Sequence, residues 1–221
     1  MWRIVRDQSI SIFFGVLFLA SVVGQAFAGV RAHNADAVEH GEQAISLWRY
    51  VVSSDYGRAV LENWQSEYLQ FLLFILGTIW LFERGSPESP AKPGGTSDRE
   101  EKVGKYAERS SPKWAKAGGW RTALYSYSLP LLMGTLFIAS WFGQSVTGWT
   151  AYNEEQRMHD SATVSWGTYL VRPNFWEETL QNWQSEFLAI GSMAVFAIYL
   201  RARGSAESKK VGDPHDKTGS A

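Results

Sequence analysis

The sequence predicts an all-α integral membrane protein: four transmembrane helices arranged as two tandem helical hairpins, a parallel internal repeat, with short extracytoplasmic helices. Three observations predict this. Apolar residues are gathered into blocks, and the run between Asp7 and Arg31 carries no charge, where about 20 such residues suffice to cross a bilayer. One gapless offset carries Gly15 to Gly134, Gly24-Gln25 to Gly143-Gln144, Asn34 to Asn153, Tyr50 to Tyr169 and Trp64 to Trp183. About 28 of roughly 75 positions aligned this way are identical, which chance does not give at one register. Lys and Arg crowd three regions: Arg3 and Arg6, the stretch from Arg84 to Arg121, and the stretch from Arg201 to Lys217. The two intervening connections hold only Arg31, Arg49 and Arg58, then Arg157 and Arg172. By the positive-inside rule both termini and the middle segment are cytoplasmic. Two crossings per unit then give both hairpins the same orientation.

The first hairpin is read over 1–89, with spans at about 9–30 and 64–83. Its first run closes with Ala26-Phe27-Ala28, a signal-peptidase pattern. The counterpart run, Leu129 to Trp149, lies deep inside the chain, so the first run is expected to be an uncleaved transmembrane helix. A connection of some 30 residues follows, and within it Ser46 to Val52 has the pattern of a short interfacial helix. Asp55 is the expected N-cap of the next helix, running to Glu83. Residues 90–120 are rich in Pro, Gly and mixed charge and are expected to be a flexible cytoplasmic linker.

The second hairpin is read over 121–210, with spans at about 128–149 and 183–202. Ser165 to Val171 is its short interfacial helix. Asn174, preceded by Pro173 and followed three residues on by Glu177, has the pattern of a capping box, with the helix running to Ala202. Residues 211–221 are polar and are expected to be a disordered tail.

The polar residues at the helix entrances are the candidate functional set. Glu67 and Glu186 lie at the start of charge-free runs, Tyr68 to Phe82 and Phe187 to Leu200, and an ionisable residue at a membrane boundary is a functional candidate. Gln25 and Gln144 lie at matching depth in the preceding helices, so Gln25 is expected to approach Glu67 or Gln65, and Gln144 to approach Glu186 or Gln184. A polar clamp fixing each hairpin accounts for all six. Trp64 and Trp183 read as interface anchors. His40 and His159 are matched and external, weak candidates to hold a metal or a haem iron, since no ligand-like spacing accompanies them. The repeated Arg-Gly-Ser-x-Glu-Ser, at Arg84 and Arg203, combines a snorkelling Arg with a Gly stop signal.

Gly-Gln in the first helix, Tyr152 to Arg157, Asn-Trp-Gln-Ser-Glu-Phe-Leu at Asn182 to Leu188, and Arg203 to Lys209 together resemble a bacterial membrane-protein family that carries only a domain-of-unknown-function label. The resemblance covers both units, and the second matches better: the first departs at His33, Ala35, Asp36, Ala37 and Pro87. It implies a multi-pass protein of the bacterial inner membrane and carries no activity with it.

Function is bounded mostly by exclusion. Zero Cys excludes disulfides, Fe–S clusters and cysteine chemistry. A net charge of −1 gives no support to a nucleic-acid partner. No catalytic residue and no cofactor is expected. The reading is a non-enzymatic integral membrane protein, a scaffold, accessory or envelope-associated binding protein. Its expected partners are the lipid bilayer and a membrane protein or a second copy of itself. The alternatives are a proton or cation pathway through Glu67 and Glu186, and a haem or metal redox protein using His40 and His159.

Overall fold

Two 31-residue helices set the scale of the molecule. The computed structural model describes residues 2–90 and 95–219, and every regular element among them is helical. In chain order the helices are α1 (Trp2–Asp7), α2 (Ser9–Glu39), α3 (Leu47–Val51), α4 (Ser54–Trp80), α5 (Lys113–Ala117), α6 (Gly119–Ser126), α7 (Ser128–Met158), α8 (Trp166–Tyr169) and α9 (Pro173–Tyr199), with a 3-10 turn at Gly104–Tyr106. Of these, α2 and α7 are long and apolar enough to cross a membrane.

Both long helices run well past their apolar stretches, so each connection is shorter than the sequence suggests. They end alike. Glu42 N–H reaches back to Ala37 O (2.7 Å) and Gly41 N–H to Val38 O (3.1 Å), the paired bonds of a Schellman stop, with Gly41 in the left-handed region at φ 78°. At the end of α7 the corresponding bonds join Ser161 to Gln156 (2.8 Å) and Asp160 to Arg157 (3.2 Å). Here Asp160 takes the left-handed position at φ 50°, which Asp tolerates better than most residues.

Close contacts gather the chain into two units. The first comprises Met1–Leu61 and Gly143–Tyr169. In it, α3 and α8 are held against the long helices by a buried tyrosine each: Tyr50 and Tyr169, 8 % and 1 % exposed. A side chain on Gly29 would collide with Tyr50, and one on Gly148 with the Tyr169 hydroxyl. A glycine at these two positions is what lets the rings lie flat on the helix. Ser46 and Ser165 cap the short helices, accepting from Arg49 N–H (3.3 Å) and Thr168 N–H (3.2 Å).

The second unit comprises Glu62–Phe142 and Leu170–Ala221. Six rings form one cluster centred on Trp141: Phe137 stacks on it at 5.6 Å and Phe175 at 6.1 Å, Trp176 meets it edge-on at 6.1 Å, Trp183 lies 6.0 Å away, and Phe187 packs on Trp183 at 6.5 Å. The sequence offset sets Trp141 and Trp176 against Val22 and Gly57, so this cluster has no twin.

Several expected boundaries are corrected. Ser53, not Asp55, caps α4, accepting from Tyr56 N–H at 3.3 Å. In α9 Arg172 occupies the cap position without a side-chain bond and Pro173 opens the helix, so Asn174 sits inside the first turn. Both helices stop at Trp80 and Tyr199 rather than at Glu83 and Ala202. The chain turns away there because Ser89 and Ser208 take the Glu83 and Ala202 N–H groups, each at 2.9 Å. The linker region carries α5 and the 3-10 turn, and Trp114 packs on Trp120 at 6.3 Å; Pro93 and Gly94 lie outside the described residues. The described part of the tail makes the side-chain and backbone contacts set out below.

Candidate functional site

Three polar arrangements stand out, and each follows from where the helices end.

The first lies in the connection after each long helix. Asn34 sits one and a half turns before the end of α2, and its amide brackets a single residue of the returning chain. It donates to Ile45 O at 2.9 Å and accepts from Ile45 N–H at 2.8 Å. Asn153 does the same to Val164, at 2.9 Å and 2.8 Å. The two acceptor carbonyls differ in one respect: Val164 O also receives the Trp149 indole N–H at 2.7 Å. The brackets satisfy extended backbone that would otherwise lack partners, and they aim the chain into α3 and α8.

Around these brackets the first unit carries its ionisable groups. His33 faces Asp55 at 3.5 Å and packs on Tyr50 with ring centres 5.7 Å apart. Tyr152 and Tyr169 make the corresponding ring contact, also at 5.7 Å. Burial raises the Tyr50 pKa, and Asp55 raises it further. Ser54 donates to Glu154 at 2.5 Å. Exposed His40 is hydrogen-bonded to Asp36 O at 2.9 Å, and that bond, with the Asp36 carboxylate next in weight, raises its pKa above the ordinary 6.5. His159 is exposed. Among the described residues no three His, Asp or Glu side chains form a metal-binding group.

The second arrangement is the helix-entrance set in the second unit. Gln65 is fully buried. Its Oε1 accepts the Trp183 indole N–H at 2.8 Å and its Nε2 donates to Glu62 O at 3.0 Å. Trp183 is therefore a hydrogen-bonding residue, and Trp64 is 37 % exposed. Ser66 and Ser185 each fold back on their own helix, to Asn63 O at 2.9 Å and Asn182 O at 2.8 Å. Gln70 donates to Glu186 O at 3.2 Å. Glu186 is half-buried beside Ser66 and Glu67, while Glu67 itself is exposed.

The remaining members of the expected clamp divide sharply. Gln144 is fully buried and neither of its amide atoms has a hydrogen-bond partner among the described residues. Gln25 and Gln184 are exposed.

The third arrangement was not visible in the sequence. Lys209 is 3 % exposed, and its ammonium donates to Gly85 O at 2.6 Å, His215 O at 2.9 Å, Lys217 O at 3.2 Å and Pro214 O at 3.4 Å. Desolvation, with Arg201 nearby, lowers its pKa below the ordinary lysine value. The tail is tied down on both sides of this ammonium. Thr218 accepts from Gly85 N–H at 2.9 Å, Gly219 N–H donates to Ser86 O at 3.0 Å, and Arg84 pairs with Asp216 at 3.3 Å. Arg201 reaches Asp213 O at 3.1 Å and Ile198 O at 3.0 Å. The turn at Arg84-Gly85-Ser86 is therefore also the floor on which the tail rests. Glu88 and Glu207, matched in the two turns, interact, and burial followed by Glu207 raises the Glu88 pKa.

A family model described as a domain of unknown function, DUF6766, matches residues 1–220. No curated protein matches the chain, and no solved structure does.

Proposed function

Because the chain belongs to the DUF6766 family, whose description assigns no activity, we propose its role from its own geometry: a non-enzymatic integral membrane protein that presents a rigid external platform to a partner. In this reading it crosses the bacterial inner membrane four times as two tandem hairpins, with both termini cytoplasmic. The spans are α2, the later part of α4, α7 and the later part of α9. The Lys and Arg distribution supports the orientation, and the gapless offset supports duplication.

One observation carries the functional reading. Two matched pairs of polar residues are committed to the backbone of their own half: Asn34 to Ile45 and Asn153 to Val164, Ser89 to Glu83 and Ser208 to Ala202. Groups used in this way shape connections rather than present reactive atoms to a substrate, as catalysis would need. What they build is two ordered external segments, α3 and α8, each stiffened by an Asn bracket and a buried tyrosine.

A second reading has one observation in its favour: half-buried Glu186 lies beside Glu67, as a proton or cation pathway would require. The two readings separate in reconstituted vesicles. The platform reading expects proton and monovalent-cation flux at the level of empty vesicles, unchanged in the Glu67→Gln, Glu186→Gln double variant. Wild-type flux that disappears in a folded double variant would replace it with the pathway.

A further inference from the structure

The chain builds the same turn twice, after α4 as Arg84-Gly85-Ser86 and after α9 as Arg203-Gly204-Ser205. Three matched hydrogen bonds shape each copy. Ser86 N–H donates to Glu83 O at 3.2 Å, and Ser205 N–H to Ala202 O at 3.1 Å. Glu88 N–H and Glu207 N–H each donate to the serine hydroxyl of their own turn, both at 3.2 Å. Ser89 and Ser208 accept from Glu83 N–H and Ala202 N–H, both at 2.9 Å. Gly85 and Gly204 share the left-handed region, at φ 88° and 83°, a conformation that favours glycine. The two turns are therefore one structure in two places.

The first turn shows what this structure binds. Arg84 holds the Asp216 carboxylate at 3.3 Å, and Gly85 N–H donates to the Thr218 hydroxyl at 2.9 Å. With the tail in place, Gly85 and Ser86 are buried. The arginine thus takes an oxyanion, and the glycine N–H takes a second oxygen close by, the pairing expected of a guanidinium beside a free backbone donor. The second turn carries the same two donors unfilled. Among the described residues neither the Arg203 guanidinium nor the Gly204 N–H makes a hydrogen bond or ion pair, and both residues are exposed. They border a cavity of about 420 Å³.

What the second turn adds is charge. Lys209 and Lys210 stand where the first turn is followed by Pro90 and Ala91. Lys209 sends its ammonium to the Gly85 carbonyl, which leaves Lys210 on the cavity wall with Arg203. The acids nearby are engaged elsewhere: Asp213, close to Lys210, is held by Lys217 at 3.0 Å, and Glu207 lies by Glu88. One carboxylate answers the single arginine of the first turn. Two cations and an amide suit a group with more oxygens, and a phosphate supplies them. The only Asp-x-Thr segment of the chain, Asp216 to Thr218, is already seated on the first turn. Position then selects the source of the phosphate. Tyr199 and Leu200, just before the second turn, are exposed apolar side chains, so in the proposed topology the turn lies at headgroup depth with acyl chains beside it.

We propose that Arg203, the Gly204 N–H and Lys210 form a headgroup site for an anionic phospholipid of the inner leaflet. The phosphate oxygens take the places that the Asp216 and Thr218 oxygens take on the twin turn. Basic side chains at a cytoplasmic membrane surface attract anionic headgroups in any case; the turn adds a fixed backbone donor and a defined seat. This inference goes beyond the platform reading and rests on its membrane placement of α9, and the experiment separates the failure of one from the failure of the other.

The test uses the full-length chain, labelled with ¹⁵N-glycine, in phosphatidylcholine nanodiscs into which phosphatidylglycerol is titrated. The Gly204 amide resonance should move with phosphatidylglycerol while the Gly85 amide, already bonded to Thr218, stays in place. Phosphatidylglycerol affinity should fall at least about tenfold in the Arg203→Ala, Lys210→Ala double variant, since each cation lost at the surface weakens attraction to anionic lipid several-fold. Arg84→Ala removes the same charge from the twin turn and should leave the affinity near that of wild type. The site is overturned if Gly204 does not respond, if the double variant binds as wild type does, or if Arg84→Ala weakens binding equally, which would reduce the effect to diffuse charge. Inorganic phosphate is added separately in pure phosphatidylcholine discs. A Gly204 shift at millimolar phosphate as large as that with phosphatidylglycerol would make the ligand a free anion and overturn the lipid assignment. Alkaline washing of vesicles tests the membrane reading by itself. A chain that stays inserted yet shows no preference for phosphatidylglycerol removes the site alone, and a chain that washes off removes both.

Discussion

The Lys209 ammonium donates to the Gly85 carbonyl at 2.6 Å, across 124 residues of chain, and three further carbonyls of the tail close around it. A buried cation held this way anchors by hydrogen bonding to carbonyls. Lys209→Met keeps the aliphatic stem and removes every donor, leaving the carbonyls unpaired. Hydrogen bonds from a charged donor contribute about 1.5–3 kcal/mol each in net terms, so the loss should be on the order of 2 kcal/mol or more. The expected result is release of residues 211–219, read as new protease cleavage in the tail with the helical content unchanged. A tail that stays protected in Lys209→Met would mean the Arg84–Asp216 and Thr218 contacts suffice without it.

The two Asn brackets differ in burial, and that sets the order of their effects. Asn153 is 4 % exposed, while Asn34 is half-exposed. Each substitution to Ala removes two hydrogen bonds, at about 1 kcal/mol apiece, and strands backbone groups whose desolvation cost grows with burial. Asn153→Ala should lower thermal stability in detergent more than Asn34→Ala does. Retention of the Trp149 bond to Val164 O limits the loss at Asn153, so Trp149→Phe combined with Asn153→Ala should cost more than either alone. Equal melting shifts for the two Asn variants would contradict this ordering.

His40 offers the clearest pH dependence. Its folded-state pKa is raised above 6.5, first by the bond to Asp36 O and then by the Asp36 carboxylate. A base whose pKa is raised on folding adds stability that is fully present below its unfolded pKa and is lost as pH rises through the folded pKa. The stability difference between wild type and His40→Gln should therefore be largest below pH 6.5 and fade above the raised midpoint. Imidazole resonances followed by NMR should titrate above 6.5 in wild type. In Asp36→Asn the midpoint should fall only part of the way, because the backbone carbonyl remains.

The tyrosines that lie on glycines make a paired test of geometry. A Cβ on Gly148 would meet the Tyr169 hydroxyl at 2.5 Å but the ring carbons only at 3.3 and 3.4 Å. A Cβ on Gly29 would meet Tyr50 ring carbons at 2.7 Å as well as its hydroxyl. Gly148→Ala should destabilise and be largely rescued by Tyr169→Phe, whereas Gly29→Ala should not be rescued by Tyr50→Phe. Overpacking of this kind typically costs about 1–3 kcal/mol, enough to see as a melting shift. Rescue at both positions would show that Tyr50 can move aside.

Topology has its own test. Reporter fusions placed after Asp55 and after Gly95 should report opposite sides of the membrane, with Gly95 inside. An external Gly95 would reverse the orientation drawn from Lys and Arg.

What could be read from the chain beforehand follows a physical line. Periodicity and apolar runs reveal helices where those signals are local: the short helices at α3 and α8 and the long apolar α2 and α7 are legible in this way. The offset singled out Asn34 and Asn153, yet their role was hidden, since the partner is a backbone peptide 11 residues away and backbone groups leave no mark in sequence. Gln65 pairs with Trp183, a choice made by packing across 118 residues that local pattern does not encode. The Lys209 cage was the least visible, because four carbonyls of any residues would serve. At the start of α4, Ser53 and Asp55 are both good caps, and only the backbone decides between them.

The long helices also turn membrane thickness into motion. A continuous 31-residue helix is about 46 Å long, against a hydrocarbon core of about 30 Å, so in the proposed topology some 16 Å of each projects outward as a stiff stalk. Thinner or thicker bilayers are met by changes of tilt. Pivoting by about 10° would carry the tip of such a stalk sideways by roughly 3 Å. Because the Asn brackets fasten α3 and α8 to those stalks, the external segments would travel with them, and the protein would act as a strain gauge whose pointer lies outside the bilayer it measures.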